Sequence, residues 1–167
     1  MDKKVLDKMV RGLAKEMRDL GYPVKPIHNV KLSKASTCFG KCTIYCYGYV
    51  DITITELGLL GSKEDLKNTI IHELCHACCD IGDHHGDNWK YYARKASKDF
   101  HTNITITSEV VGKEQKSYLK SKIKYRIQCD NCGAIDEYQR KTKFVQSVIN
   151  NRHLYRCHCG CISFHLI

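Results

Sequence analysis

This chain of 167 residues is 43% hydrophobic and 27% charged, and its formal net charge is +9 at pH 7. That length and composition suit one packed domain of about 110 residues followed by a smaller module. No stretch approaches 18 consecutive apolar residues, which excludes an α-helical membrane span, and there is no internal repeat or low-complexity tract.

The 11 cysteines are an odd number, and the N-terminal segment lacks the apolar core of a signal peptide. In a reducing compartment, cysteines act as small buried apolar residues or as metal ligands. We therefore expect a cytoplasmic protein, and leave open an association with a nucleoid or a nucleus.

The first 107 residues show the patterns of helices and short strands. Residues 3–20 repeat apolar side chains at helical spacing and stop at Gly21. The expected elements are a helix over 3–20, strands near 27–33, 42–47 and 50–55, helices over 63–80 and 87–99, and a short strand over 103–107. Helices packed on a small antiparallel sheet make the fold class α+β.

Residues 72–76 read His-Glu-Leu-Cys-His, an H-E-x-x-H pattern within one of these helices. His72 and His76 are four residues apart, so both imidazoles project from one helix face and can reach one metal ion. Glu73 is the residue type that takes a proton from a water molecule beside that metal. The pattern is typical of a catalytic Zn²⁺ site in a hydrolase.

A catalytic zinc ion usually has three protein ligands and leaves a fourth position for water. His84 and His85 directly precede the predicted helix over 87–99, which would carry a histidine back towards the first pair. We prefer His85 as the third ligand and keep His84 as the alternative. A more distant glutamate is the other possible third ligand. The next glutamate along the chain is Glu109, which is not an obvious ligand.

Two groups of cysteines near the C-terminus have spacings that indicate a structural zinc site. Cys129 and Cys132 form a C-x-x-C-G turn, in which glycine lets the backbone fold back. Cys157 and Cys159 supply the second pair, although C-x-C-G-C replaces the expected C-x-x-C. Cys161 in place of Cys159, or the histidine between the second pair, is the alternative.

The positive charge is concentrated towards the C-terminus. Residues 113–167 contain 11 Lys/Arg against 4 Asp/Glu, whereas residues 1–112 contain 16 against 14. This excess indicates a polyanionic partner, and we expect DNA, with single strands among the forms bound and the preference over RNA left open. The cations expected to contact phosphates are Lys122, Lys124, Arg126, Arg140, Lys141, Lys143, Arg152 and Arg156.

Four aromatic residues are interleaved with these cations, namely Tyr125, Tyr138, Phe144 and Tyr155. We expect the rings to form the sparse core of the C-terminal module. Stacking on unpaired bases is the alternative.

The pattern at 72–76, followed by His-Gly-Asp-Asn-Trp at 85–89, resembles the SprT-like metalloprotease family, which includes the Spartan proteases. Residues 39–42, residues 50–55 and the C-terminal cysteines resemble further parts of that family, so the resemblance covers about residues 5–167. In that family the histidine of the H-G-x-x-aromatic pattern is the third zinc ligand, which here is His85.

The resemblance implies a protease domain over residues 1–110, a basic connector over 111–124 and a zinc ribbon over 125–167. One Zn²⁺ ion would be catalytic and one structural. Segment 51–55 is the expected sheet edge for pairing with an extended substrate.

The function that these patterns favour is a zinc-dependent metalloprotease of protein substrates, recruited to or stimulated by nucleic acid. Spartan-type members degrade proteins that are crosslinked to DNA. Two other functions stay open: a nucleic-acid-binding accessory protein with little protease activity, and a zinc hydrolase of small amides. The physiological substrate, the oligomeric state and the residue that stabilises the oxyanion do not follow from the sequence.

Overall fold

The computed structural model describes residues 1–107 and 112–167, which fall into two compact units, Met1–Lys116 and Ser117–Ile167. The elements of the first unit are α1 (Lys3–Asp19), β1 (Ile27–Ser33), β2 (Gly40–Ile44), β3 (Val50–Thr55), α2 (Glu56–Leu59), α3 (Lys63–Ala77) and α4 (Asp87–Asp99). Helix α5 (Lys113–Ser121) crosses the boundary between the units. The elements of the second unit are β4 (Tyr125–Cys129), β5 (Ile135–Tyr138), α6 (Lys143–Ile149) and β6 (Phe164–Leu166).

Helices beside two small sheets make the fold class α+β, which confirms the expectation from sequence. The predicted boundaries at 110/111 and 124/125 stay predictions, and residues 108–111, where the connector was expected to begin, lie outside the described residues. No helix in the described part of the chain is long and apolar enough to cross a membrane.

Helix α1 supplies one wall of the core of the first unit. Asp2 caps its N-terminus by accepting a hydrogen bond from the amide of Lys4, and Gly21 follows its C-terminus with a φ of 83°. The buried residues recur at helical spacing, so one face of the helix is apolar. They are Leu6, Val10, Leu13, Ala14 and Met17.

The first sheet has the strand order β1-β3-β2. Strand β3 lies in the centre, parallel to β1 and antiparallel to β2, and Ile52 is the register partner of both Val30 and Cys42. The prediction that segment 51–55 is a sheet edge is therefore wrong. Its polar residues Asp51 and Thr55 are buried along with its apolar ones. The edge strand beside α3 is β2.

The predicted strand over 103–107 is also wrong. These residues are described without strand pairing, and the carbonyl of Thr105 instead lies 3.0 Å from Nδ1 of His72. The backbone group that a strand partner would have used is thus engaged by a side chain of α3.

Helix α3 packs beside β2 and β3 and presents its apolar face to the core. A capping box closes its N-terminus, because Ser62 accepts from the amide of Asp65 and the Asp65 carboxylate accepts from the amide of Ser62. Ile70, Ile71 and Leu74 are fully buried. This packing holds the middle of the helix, where the H-E-x-x-H pattern lies.

The second unit has a three-stranded antiparallel sheet in the order β5-β4-β6. Its fully buried apolar residues among those described are few, chiefly Ile127 and Val145. A core this small does not stabilise a fold of about 50 residues unaided, so a cross-link by metal would contribute most of the stability.

Candidate active site

The side chains of His72, His76 and His85 converge on one point. His72 and His76 lie one turn apart on α3, and His85 lies in the loop before α4. Nε2 of His85 is 3.1 Å from Nε2 of His72 and 3.2 Å from Nε2 of His76. The structure thus brings together the three predicted ligands, and the imidazole of His84 is not part of this cluster.

These separations fit a metal site. Two imidazoles that bind one zinc ion tetrahedrally, each at about 2.0–2.1 Å, place their nitrogens about 3.3 Å apart. Three converging nitrogen donors without a carboxylate suit zinc or another borderline transition metal rather than calcium or magnesium. The donor set of this chain therefore fits the group that the family pattern implies.

Hydrogen bonds orient the imidazoles for this role. His72 donates from Nδ1 to the carbonyl of Thr105, which leaves Nε2 as the lone-pair nitrogen. His76 is hydrogen-bonded to the carbonyl of His84. Each bond fixes the ring and the tautomer that a metal ligand needs.

The protonation of the histidines also suits metal binding. Burial, together with the nearby imidazole of His85, lowers the pKa of His72 to about 4. Burial and the other two histidines lower the pKa of His76 to about 3, and burial lowers that of His85. All three rings are therefore neutral at pH 7 and can donate a lone pair.

Glu73 projects from α3 towards strand β2. Its side chain is 6% exposed, and burial raises its pKa to about 8, although a hydrogen bond from the amide of Cys42 opposes this rise. A cation held by the imidazoles would lower that pKa, because an opposite charge favours the carboxylate. Glu73 can thus accept and release a proton near neutral pH.

Gly40 makes room for this carboxyl group. A β-carbon at position 40 would lie 2.7 Å from Oε1 and 2.8 Å from Cγ of Glu73. A side chain there would displace the glutamate, so the first residue of β2 is a glycine for a steric reason.

Trp89 forms the floor beneath the three imidazoles. Its ring centroid lies 4.8 Å from that of His72, 5.5 Å from that of His76 and 4.6 Å from that of His85. The indole is 1% exposed, and its Nε1 donates to the carbonyl of His72 at 3.4 Å. Packing against one rigid ring keeps the three histidines in place.

The loop that carries His85 is tied to α4 by Asp83. Its Oδ2 accepts from the amide of Trp89 at 2.9 Å, and its carbonyl accepts from the amide of Gly86 at 2.7 Å. His84 has a φ of 46°, which turns the chain so that His85 can face α3.

A comparison with protein families agrees with this arrangement. The model of the SprT-like family matches residues 7–109. The chain belongs to the SprT-like family. Membership supports a function related to that of metallopeptidases.

A relative with a longer chain shares part of this sequence. The germ cell nuclear acidic protein of Homo sapiens is 32% identical over 94 residues, which cover 46% of this chain and 14% of the relative. The chain therefore spans about a seventh of the length of this relative.

A second group of metal-ligating side chains lies in the second unit. Sγ of Cys129 is 3.7 Å from Sγ of Cys159, and Sγ of Cys132 is 3.6 Å from Sγ of Cys157. Four thiolates around zinc, each at about 2.3 Å, lie about 3.8 Å apart. Cys159 is thus the fourth member of this cysteine cluster, whereas Sγ of Cys161 accepts a hydrogen bond from the amide of Ser163 instead.

The cations predicted to contact phosphates are spread over the second unit. Seven of the eight are exposed: Lys124, Arg126, Arg140, Lys141, Lys143, Arg152 and Arg156. Lys122 is half-buried, and its ammonium lies 4.4 Å from the ring of Tyr118. Arg126 forms an ion pair with Glu137 at 3.1 Å, which reduces its share of the positive potential.

The aromatic residues of this unit pack against one another around Phe144. Its ring centroid lies 5.9 Å from that of Tyr138, 5.0 Å from that of Tyr155 and 5.1 Å from that of Phe164. The same rings line a cavity of about 360 Å³ beside Cys157. The cluster is thus both a small core and the wall of an open pocket.

Sequence reasoning missed Gly40, Thr105 and the contacts of Trp89. The short spacing between His85 and Trp89 was a signal, since it places Trp89 in the first turn of α4, directly after the loop that carries His85. The contacts of Gly40 and Thr105 join segments about 30 residues apart and have no local signature.

Proposed function

We propose that this protein is a zinc-dependent metalloprotease of protein substrates that is recruited to or stimulated by nucleic acid. The observation that carries the proposal is the convergence of three neutral imidazoles on α3 and its neighbouring loop, with a buried glutamate next to the first of them. This combination supports hydrolysis, since a purely structural metal site has no use for a buried proton acceptor.

In this proposal His72, His76 and His85 hold the catalytic Zn²⁺ ion. The metal, when bound, supplies a Lewis acid that lowers the pKa of water and polarises a carbonyl group. Glu73 takes the proton of the attacking water on its carboxylate and delivers it to the nitrogen of the leaving amine. Gly40 and the amide of Cys42 keep that carboxylate in position.

The edge of strand β2 is the proposed binding site for the polypeptide. β2 pairs with β3 on one side, and its amide at Cys42 faces Glu73. An extended peptide that adds a strand to this edge would pass the catalytic carboxylate with main-chain hydrogen bonds. Binding through the main chain would tolerate many substrate sequences.

Recruitment by nucleic acid is supported by the charge and surface of the second unit. Seven of its predicted phosphate contacts are exposed, and the pocket beside Phe144 combines aromatic walls with Arg156 and His158. Cations attract the backbone of a nucleic acid, and ring faces attract unpaired bases. We propose single-stranded DNA as the ligand to try first.

The experiment is a proteolysis assay with a basic DNA-binding protein as substrate, with and without single-stranded DNA. The zinc-loaded chain is compared with Glu73→Gln, a variant that keeps the size of the side chain and should keep the bound metal. DNA-stimulated cleavage that is lost in the variant supports the proposal. Equal cleavage by both proteins contradicts the role of Glu73.

A second candidate function is that of a nucleic-acid-binding accessory protein. It is favoured by one observation, namely that most of the excess of cations lies outside the unit that carries the histidines. It predicts salt-sensitive binding of nucleic acid, with no cleavage by zinc-loaded wild-type protein.

A further inference from the structure

The loop between β2 and β3 contains three tyrosines at alternate positions. It reads Tyr-Cys-Tyr-Gly-Tyr over residues 45–49 and is called here the tyrosine hairpin. The amide of Gly48 donates to the carbonyl of Tyr45, and the amide of Tyr45 donates to the carbonyl of Tyr49, both at 3.0 Å. Gly48 has a φ of 82°, as the last residue of such a three-residue loop requires. These bonds hold the three rings on a defined backbone.

The rings form a continuous array with His28 of β1. The centroid of Tyr49 lies 4.8 Å from that of Tyr45 and 5.1 Å from that of His28. The ring of Tyr47 lies nearly parallel to that of Tyr49, at 14° and 6.3 Å. Tyr47 is 82% exposed, so the array ends in a flat aromatic face that is open to solvent. The core of the unit gains nothing from that ring.

A buried carboxylate fixes the array from beneath. Asp51 is 2% exposed, and it accepts hydrogen bonds from the hydroxyl of Tyr45 at 2.9 Å and from Nζ of Lys31 at 2.6 Å. The backbone amide of Asn29 donates to it at 3.0 Å, and Nδ1 of His28 lies 3.2 Å away. Asp51 thus fixes the rings of Tyr45 and His28, against which Tyr49 packs.

The strands beneath the array carry an excess of cations. β1, β2 and β3 contain two lysines, Lys31 and Lys41, and Asp51 as their one acidic residue. Both lysines are register partners of Thr53, so they stand on either side of it on the sheet face that also carries Asp51. Asp51 is engaged by Lys31, so no acid of the strands neutralises the exposed Lys41.

We propose that the tyrosine hairpin, together with Lys41, binds single-stranded nucleic acid. Exposed aromatic faces stack on any base, and a lysine further along the same strand can contact the phosphate backbone of a neighbouring nucleotide. A duplex keeps its bases stacked inside, so it cannot use the ring of Tyr47. This inference deepens the proposed recruitment by nucleic acid and rests on it, since it adds a contact on the unit that carries the histidines.

The test is a binding titration of the full chain in the Glu73→Gln background with fluorescent 20-nucleotide oligothymidylate, oligouridylate and a DNA duplex. Tyr47→Ala is expected to weaken binding of both single strands about ten-fold, whereas Tyr47→Phe keeps the ring and should bind as the parent does. Tyr91→Ala is the matched control, because Tyr91 is also an exposed tyrosine of the first unit, 57% exposed on α4.

Lys41→Gln gives an independent readout. Loss of one phosphate contact should reduce the slope of log K against log salt by about 0.7 for a single strand. Ultraviolet crosslinking of the oligonucleotide, followed by peptide mapping, should place one adduct within residues 45–49.

The inference is overturned if Tyr47→Ala and Tyr91→Ala bind the single strands alike and all adducts map to residues 117–167. It is also overturned if Tyr47→Ala leaves binding intact but raises the KM for a protein substrate, which would make the hairpin a polypeptide contact. Because the titration needs no catalysis, loss of the proposed protease function would leave its outcome unchanged.

Discussion

The carboxyl group of Glu73 occupies the space that a side chain at position 40 would fill. A β-carbon there would lie 2.7 Å from Oε1, well inside the van der Waals contact distance, and it would also meet Cγ at 2.8 Å. The position of the proposed proton acceptor on α3 is thus set by a residue of β2 that has no side chain.

We therefore expect Gly40→Ala to reduce proteolysis about 100-fold while metal content stays unchanged, since displacing a catalytic group by about 1 Å has effects of that size. The measurement is kcat/KM beside zinc stoichiometry. Gly12→Ala on α1 is the control, because its added methyl meets nothing within 4 Å, and it should leave activity intact. Full activity of Gly40→Ala would contradict the role given to this contact.

The third histidine ligand can be tested against its neighbour. His85→Ala should lose the zinc of the first unit and all hydrolysis, because two imidazoles alone bind the metal poorly. His84→Asn should keep both, since asparagine tolerates the φ of 46° found there. Metal content by atomic emission decides the matter, and zinc loss in His84→Asn alone would reverse the assignment.

The cysteine group makes a parallel prediction for the second unit. Cys159→Ser should remove one zinc ion and unfold residues 117–167, whereas Cys161→Ser should keep the metal, because its sulfur lies outside the group of four. Heteronuclear NMR spectra with zinc titration would show both effects. A folded, zinc-loaded Cys159→Ser protein would favour Cys161 as the fourth ligand.

Asp51 predicts how acid affects the first unit. Burial opposes its ionisation, but hydrogen bonds from Lys31, Tyr45 and His28 outweigh burial and lower its pKa to about 2. Because the folded pKa lies below the unfolded value of about 3.9, the carboxylate stabilises the fold above pH 4, and this contribution is lost as pH falls towards 2.

Asp51→Asn should accordingly cost about 2 kcal/mol of unfolding free energy at pH 7, since it weakens hydrogen bonds to a charged group. Urea unfolding at several pH values measures this cost, which should shrink as pH falls from 5 to 2. A cost that is constant across that range would assign it to packing instead of charge.

The H-E-x-x-H pattern was enough to predict His72, Glu73 and His76 as members of the candidate site. His85 was preferred to His84 from its place before the second helix, but its approach to α3 needs the left-handed backbone of His84 and the hydrogen bonds of Asp83. No local rule shows which of two histidines a loop turns inward.

The sequence predicted the three strands of the first sheet but not their order in the sheet. Segment 50–55 has the composition of a strand, yet only its pairing with both β1 and β2 makes it central. Hydrogen bonds from Lys31 and Tyr45 allow Asp51 to be buried in this strand. The burial of a polar residue depends on partners that come from other strands.

The hydrogen bond from His72 to residue 105 uses a main-chain carbonyl, which every amino acid possesses. Substituting the side chain of Thr105 would therefore leave the acceptor in place. Mutagenesis of that position alone would not reveal the importance of the hydrogen bond. The position of this carbonyl depends on the path of the chain through residues 102–105. Two hydrogen bonds fix that path: the amide of Ile104 donates to Oγ of Ser97, and the hydroxyl of Thr102 donates to the side chain of Asn68. Substitutions that misdirect the imidazole would thus also be found at Ser97 and Asn68, whose side chains hold this path.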